Sequence, residues 1–571
     1  MTRTRPHALL AVLVLALLAW LGTCVLRSPR TVASVYVSQQ DGNDSRSCQQ
    51  ATSASAPLRS INKGASCLEP GGTLVIAAGT YDELLISQTS SSRTCSSGDA
   101  ATQIPCAPFP NGLSASQPTR LVASGPDVIL SPVSRQWPGG GSAINVMDYA
   151  RFIHIEGIRV VRNTASGSVG GIYVGNAQHI TLQGNTLDDG QIKGGSSSKF
   201  LQVLGNTILN TGQTQCPANE KPTPSRCPHG MYICGTDHAI TDNVIQNTSY
   251  YGIQVSCESG GIARIRIERN RVENNPGNGI RCAGEQCVVV ANLLRGNGQA
   301  ITLTGSGVVA GNTIDGYYQA SWNPDPWGIY TTWGDGSGFQ ITNNIFTRMK
   351  NTTLQIGNAA MTPVDTRLVH HNIGETAGHP GVTLIASASS IYTNASAGDF
   401  TLKAGSPAIR AGVAYPHGTT DITGTPYPTP ADLGAYSSQS PPPTTDTTPP
   451  TVRLTNPPNN EQVFGTALPL VATASDNIGV VQVQFQMDGA AVGEAVTSPP
   501  YQVLWNTTTV SNGNHTLSAV ATDGAGLSAT ATSTLRVDNP PPPEPPPEQA
   551  VLACSGKVDT SGAFQMTCTK P

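Results

Sequence analysis

The chain has 571 residues, a formal net charge of −4 and only 12% charged residues. Its 60 glycines and 43 prolines favour turn-rich β structure over helices. No basic patch interleaved with aromatics occurs, which argues against nucleic acid as a partner, and the length calls for more than one domain.

Residues 1–30 open with Arg3, Arg5 and His7, followed by an uncharged run from Ala8 to Leu26. This is an export signal, so the protein is expected to be secreted or held at the cell surface. The run is long enough to stay as a membrane anchor. Leu21-Gly22-Thr23-Cys24 is weakly similar to a lipoprotein cleavage box, although Thr23 is an unfavourable neighbour for that cysteine. Cleaved signal, retained anchor and lipid anchor all stay open.

After Cys24 the cysteines fall into near neighbours: Cys48 and Cys67, Cys95 and Cys106, Cys216 and Cys227, Cys234 and Cys257, Cys282 and Cys287, Cys554 and Cys568. In an exported protein this reads as local disulfides stapling loops. A metal site is the poorer reading, because no C-x-x-C pair occurs.

Between about residue 150 and residue 346 one phrase keeps returning, apolar–x–apolar–x–x–Asn–x–apolar. Its asparagines are Asn185, Asn206, Asn243, Asn270, Asn292, Asn312 and Asn344, in steps of 21, 37, 27, 22, 20 and 32 residues. A base period near 20–22 with insertions predicts a solenoid, in which stacking of neighbours makes the core. Asparagine suits tight turns, and stacked turns would let the side-chain amides bond along a column. A second phrase, Gly followed by alternating apolar positions, starts at Gly171, Gly230, Gly252, Gly279 and Gly328; Ala300 fills the same slot. Period two predicts a strand after each glycine.

This pattern resembles the right-handed parallel β-helix superfamily that contains the pectate lyases. The ends carry the resemblance too. Tyr36-Val37-Ser38, Asp41-Gly42-Asn43-Asp44 and Pro70-Gly71-Gly72-Thr73 are similar to the entry segment of such helices. Asp399-Phe400-Thr401-Leu402 and Asp432-Leu433-Gly434-Ala435-Tyr436 are similar to the closing segment. The implied fold is all-β, with the solenoid spanning 31–437.

A Ser/Pro/Thr-rich linker, 438–450, follows. Residues 451–538 alternate as short strands with turn signals, which predicts a β-sandwich. With Ala474-Ser475-Asp476-Asn477 and Ala521-Thr522-Asp523-Gly524 it resembles a bacterial immunoglobulin-like module, which implies a spacer or carbohydrate-binding accessory. Residues 539–548 are a polyproline linker. Residues 549–571 are expected to form a hairpin closed by Cys554 and Cys568.

Alternation places Ile172, Met231, Ile253, Ile280, Ile301 and Ile329 inward and the residue after each outward. The outward column is Tyr173, Tyr232, Gln254, Arg281, Thr302 and Tyr330. The position before each glycine adds Gly170, His229, Tyr251, Asn278, Gln299 and Trp327. Stacked in register, these offer aromatic faces to sugars and an Arg fork to a uronic carboxylate. The insertions Gln213–Pro228 and Tyr317–Pro326, with Trp322, would wall the strip. Ordinary surface residues on a long sheet are the competing reading.

The resemblance implies an enzyme like a polysaccharide lyase, removing the proton next to a carboxylate with Lys or Arg, often with Ca²⁺. Arg281, His229 and Tyr232 are the expected catalytic residues. Tyr173, Tyr251, Gln254, Trp327 and Tyr330 are the expected substrate-binding residues. Lys193, Lys199 and Arg264 are further candidate bases. Asp188, Asp189, Asp237, Asp242 and Glu258 are the candidate calcium ligands, although no motif fixes a metal. A glycoside hydrolase fits less well, because the aspartates near Asn185-Thr186 and the Pro228-His229-Gly230 segment depart from the polygalacturonase pattern. The other reading is a non-catalytic surface protein that binds glycan as an adhesin does; on either reading the chain is expected to be a monomer.

Overall fold

The computed structural model describes residues 31–83, 85–87, 108–125, 127–131, 142–147, 149–162, 170–212, 227–257, 261–318, 326–331, 338–350, 353–356, 368–376, 381–415, 419–440, 447–476, 480–497, 501–540 and 553–569. The signal segment, Cys95, Cys106, Cys216, Glu258, Trp322, most of both proposed wall loops and most of the polyproline linker lie outside the described residues.

Residues 31–384 coil into a parallel β-helix of three faces. The first face includes Gly170–Val174, Gly190–Gly194, Met231–Ile233, Ile253–Val255 and Ile329–Thr331. The second includes Arg151–Glu156, Gln178–Gln183, Lys199–Leu204 and Ala263–Glu268. Two long strands, Asn278–Val290 and Gln299–Ala310, bend from the first face into the second and join the two as one continuous sheet. The third face is a separate parallel sheet of 12 strands that includes Thr186–Asp188, Val244–Gln246, Arg271–Glu273 and Leu293–Asn297.

The inward positions are those the alternation predicts. Ile172, Met231, Ile253, Ile280, Ile301 and Ile329 are fully buried. At about 25 cal/mol per Å² of apolar surface removed from water, this column is the main source of stability, and it exists only because each coil covers the next. The recurring glycine has a steric cause. A Cβ at Gly230 would lie 2.7 Å from the carbonyl of Gly252, and one at Gly252 would lie 2.7 Å from the carbonyl of Gly279.

The asparagines form one hydrogen-bonded column from Asn185 to Asn372. At each step the backbone N–H and the side-chain amide both donate to the Oδ1 of the next asparagine. Asn243 does so to Asn270 at 3.0 and 2.9 Å, and Asn344 does so to Asn372 at 3.0 and 2.9 Å. The amide also takes up the Val203 and Thr241 carbonyls at Asn243. Buried turns need such partners for every polar group. The repeat phrase stops at Asn344; Asn372 extends the column by one coil.

The short helix Ile61–Ser66, capped by the Ser60 side chain on the Lys63 N–H, lies over the entry end. Ile61 and Ala65 enter the core there. At the other end the closing segment folds back onto the third face, packing Ile391, Tyr392, Phe400 and Leu433 against Leu293 and Ile345. Cys48–Cys67, Cys234–Cys257, Cys282–Cys287 and Cys554–Cys568 are bonded as the spacing suggested, and Cys227 is disulfide-bonded as well.

Residues 451–538 form a sandwich of a three-stranded and a five-stranded sheet around Leu470, Val483, Phe485, Leu517, Ala519 and Leu535. This domain does not stand clear as a spacer would. It rests on the third face, where Asn247 Nδ2 donates to the Ala474 carbonyl at 2.9 Å and Gln246 Nε2 to that of Asp476 at 3.3 Å. Residues 553–569 form a two-stranded antiparallel hairpin.

Candidate functional site

The outward column of the first face is in register across the coils. Tyr173 pairs with Lys193, Lys193 with Tyr232, Tyr232 with Gln254, Gln254 with Arg281, Arg281 with Thr302 and Thr302 with Tyr330. Neighbouring strands lie about 4.8 Å apart, so Tyr232 and Arg281 are separated by about 10 Å with Gln254 between them. The structure thus brings together Tyr173, Tyr232, Gln254, Arg281 and Tyr330, with His229, Tyr251 and Trp327 beside them.

Two residues belong to this strip that the sequence reading did not put there. Lys193 occupies a full rung between Tyr173 and Tyr232, with its Nζ 5.9 Å from the Tyr232 ring centroid. Its strand carries the glycine one position early, Gly190, with Gln191 in the usual glycine slot. The 21-residue step from Asn185 to Asn206 was the available signal, since a whole coil has to contain a first-face strand. Tyr250 is the second. It stacks on Tyr251 at 3.9 Å between centroids, and the Tyr251 hydroxyl donates to that of Tyr250 at 3.0 Å.

His229 is not on the strip but beneath it. It is 4% exposed, and its ring packs against Tyr232, Tyr250 and Tyr251 at 5.5, 5.5 and 5.2 Å. Burial, aided by the Arg281 and Lys193 cations, holds its pKa down at about 4, so the imidazole is neutral near pH 7. Burial likewise pushes the Tyr250 phenol up. This corrects the placement of His229 among groups that touch substrate: its ring is enclosed by tyrosines. Tyr251, 9% exposed, is a wall of the same enclosure. Trp327 and Tyr330 are half-buried and stack at 4.6 Å. The Tyr173 ring packs against Gly175, where a Cβ would lie 2.7 Å from it.

Three buried polar atoms here have no hydrogen-bond partner among the described residues: His229 Nδ1, Gln254 Oε1 and Arg281 Nε. An unsatisfied buried polar group costs about 1–3 kcal/mol, and the two on consecutive rungs of the outward column, Gln254 and Arg281, mark this as a place for polar ligand groups. The strip is also free of acids. The outward column and the flanking column (Gly190, His229, Tyr251, Asn278, Gln299, Trp327) hold Lys193 and Arg281 but no carboxylate.

The candidate calcium ligands are not gathered. Asp237 receives both Arg264 Nε and Nη2, at 2.5 and 2.8 Å, and this pairing pulls its pKa down to about 2. Asp242 receives Arg269 in the same way at 2.8 and 2.9 Å. Asp189 accepts from Arg162 and from the Gly212 N–H, and Asp188 lies 3.6 Å from Arg159. Among the described residues no three His, Cys, Asp or Glu side chains form a metal-holding group. Each of these four acids faces an arginine, and Arg264 is corrected from free base to ion-pair partner. Lys199 begins a second-face strand, away from the strip.

The family model described as a right handed beta helix region matches residues 139–294 and 229–397, and that of the bacterial Ig domain matches residues 450–519. The chain is a right-handed parallel β-helix protein with a bacterial Ig-like domain. Among solved structures, this β-helix protein is similar to the pectate lyase Pel9A, with 14% identity, a TM-score of 0.40 and coverage of 71% of this chain and 96% of that one. It is also similar to PfbA, a surface adhesin of Streptococcus pneumoniae, with 10% identity, a TM-score of 0.35 and coverage of 53% and 77%. The fibronectin(III)-like modules of Clostridium thermocellum CbhA share 31% identity over 16% of this chain and 47% of theirs, with a TM-score of 0.15. No curated protein matches it.

Proposed function

We propose that this is an exported protein whose first face binds an acidic polysaccharide and cleaves it by β-elimination. The observation that carries this reading is the in-register strip itself: two cations, half-buried aromatic rings, two orphaned polar atoms and no carboxylate among its described residues. Disulfide bonding supports export.

Arg281 is the planar fork that would pair with a uronic carboxylate. Neutralising that carboxylate makes the adjacent C5 proton easier to remove. The C5–H bond breaks, its electron pair forms the C4=C5 double bond, and the C4–O4 bond breaks with a proton delivered to the departing oxygen. Tyr232, two rungs from Arg281 on the same column, is the group placed to accept and return protons. Gln254 Oε1 accepts a sugar hydroxyl. His229 acts as a positioning residue that holds the Tyr232 ring from below.

The test is the ultraviolet absorbance of the conjugated unsaturated product over a panel of uronate polymers, with and without chelator. Product that persists in chelator and vanishes in Arg281→Ala supports the proposal. The enclosure of His229 favours a second reading, a non-catalytic glycan binder. Binding of acidic polymers without product, retained in Tyr232→Phe, would establish that reading. Neither binding nor product would remove both.

A further inference from the structure

We infer that Lys193 and Arg281 are two separate anion subsites on one strip, so that the preferred ligand is a run of consecutive acidic sugars and not a single acidic residue in a neutral chain. This rests on the reading of the first face as a binder of acidic polysaccharide, and it adds the spacing of the charges and the direction in which the chain is read.

The register sets the spacing. Lys193, Tyr232, Gln254 and Arg281 occupy four successive rungs of one column, which puts the two cations about 14 Å apart at about 4.8 Å per strand. At physiological ionic strength the screening length is about 8 Å, so the two charges act nearly independently. One carboxylate on Arg281 leaves Lys193 uncompensated. A second acidic group further along an extended polymer compensates it.

Neither cation is paired within the described residues. No ion pair joins Lys193 or Arg281 to any described carboxylate, whereas on the second face Arg264, Arg266 and Arg269 each lie within 2.8 Å of one. Lys193 is exposed and lies between two tyrosines, Tyr173 one rung before and Tyr232 one rung after. Tyr232, under the ammonium group, gives that cation a fixed aromatic neighbour. The polymer would therefore run along the coil axis, with one acidic sugar at Arg281 and another at Lys193.

The experiment is a length series of oligouronides, from disaccharide to hexasaccharide, titrated calorimetrically against the full chain. Wild type, Lys193→Ala, Lys193→Arg, Arg281→Ala and the double variant are compared. Affinity for wild type should rise with length. Lys193→Ala should lose about tenfold for the longer oligomers and leave disaccharide binding unchanged. Lys193→Arg should restore the loss, and the effects of the two alanine variants should add for long oligomers and not for short ones. Equal losses from Lys193→Ala at every length, or no loss at any, would overturn the two-subsite inference while leaving the reading of the face intact. Failure of every acidic oligomer to bind wild type would overturn that reading and this inference together.

Discussion

Two outward columns of the same solenoid treat charge in opposite ways. On the third face the column reads Gln246, Glu273, Arg295, Asp315 and Thr347, with opposite charges on adjacent rungs. Arg271 reaches Glu273 at 2.8 Å, and Arg348 reaches Asp315 at 2.8 Å. On the first face the column holds Lys193 and Arg281, and no described carboxylate is paired with either. The backbone is the same and the coils are the same. The difference follows from what lies on top. The third face is covered by the closing segment and the Ig-like domain, and buried charges are tolerated only when paired. The first face is not covered by any described element, so its charges can wait for a partner from outside. An unpaired cation is therefore informative here because the protein pairs its charges so thoroughly elsewhere.

The sharpest way to break this contrast is Glu273→Ala. Glu273 accepts from Arg271 and from Gln246 Nε2, and the Arg271 side chain is only 12% exposed. Removing the acid takes from a buried guanidinium the carboxylate it is bonded to, at a cost of about 3–5 kcal/mol. The urea midpoint should fall sharply. Binding of acidic oligomers by the protein that remains folded should be unchanged. A loss of binding without a loss of stability would reverse the roles assigned to the two faces.

A somewhat smaller effect tests whether His229 lies under the strip or on it. Burial favours its neutral form, so its pKa falls from 6.5 in the unfolded chain to about 4 in the folded one. Between those values the unfolded chain binds a proton that the folded chain refuses. Stability is full above about pH 6.5 and declines as pH falls toward 4, by about 3 kcal/mol in all. His154 and His238, also depressed by burial, act in the same direction, so the measurement is a difference. His229→Gln should show a shallower decline in urea midpoint over that range than wild type. Parallel curves would mean that His229 titrates in the open.

Arg281→Ala should cost on the order of 100-fold in kcat/KM or affinity for a long acidic oligomer, the usual range for truncating one partner of a close charge pair. Its effect on melting temperature should be small beside that of Glu273→Ala. A large drop in melting temperature with unchanged binding would make Arg281 a structural residue.

Much of this was legible from repetition alone. The asparagine column and the glycine slot each recur because the same steric problem recurs in every coil, and a pattern forced on every coil shows in one sequence. What broke the pattern was hidden. Lys193 is legible as a candidate base but not as a member of the column, because Gln191 stands where neighbouring coils have glycine. The enclosure of His229 depends on Tyr250, which alternation assigns to no column. Docking of the Ig-like domain joins Asn247 to Ala474, 227 positions away, and no local signal predicts a contact across such a distance. The pairing of Asp237 and Asp242 with Arg264 and Arg269 spans 27 residues in each case, the same step as Asn243 to Asn270, but Asp242 and Arg269 fill an unspecified position of the repeat phrase and Asp237 and Arg264 lie outside it.

The smallest effect is expected at Arg264, and its smallness is the point. Arg264 has the residue type of a proton-abstracting base, and its first-face counterpart Arg281 does lie on the strip. But Arg264 sits at a corner bulge with φ of 56°, at the start of a second-face strand. Its guanidinium is committed to both oxygens of Asp237. A guanidinium held this way stays protonated and cannot accept a proton. Arg264→Ala should therefore leave product formation and oligomer affinity within error of wild type, measured side by side with Arg281→Ala on the same substrate. If Arg264→Ala abolished turnover while Arg281→Ala did not, the chemistry would belong to the second face, and the absence of acids along the first would need another explanation.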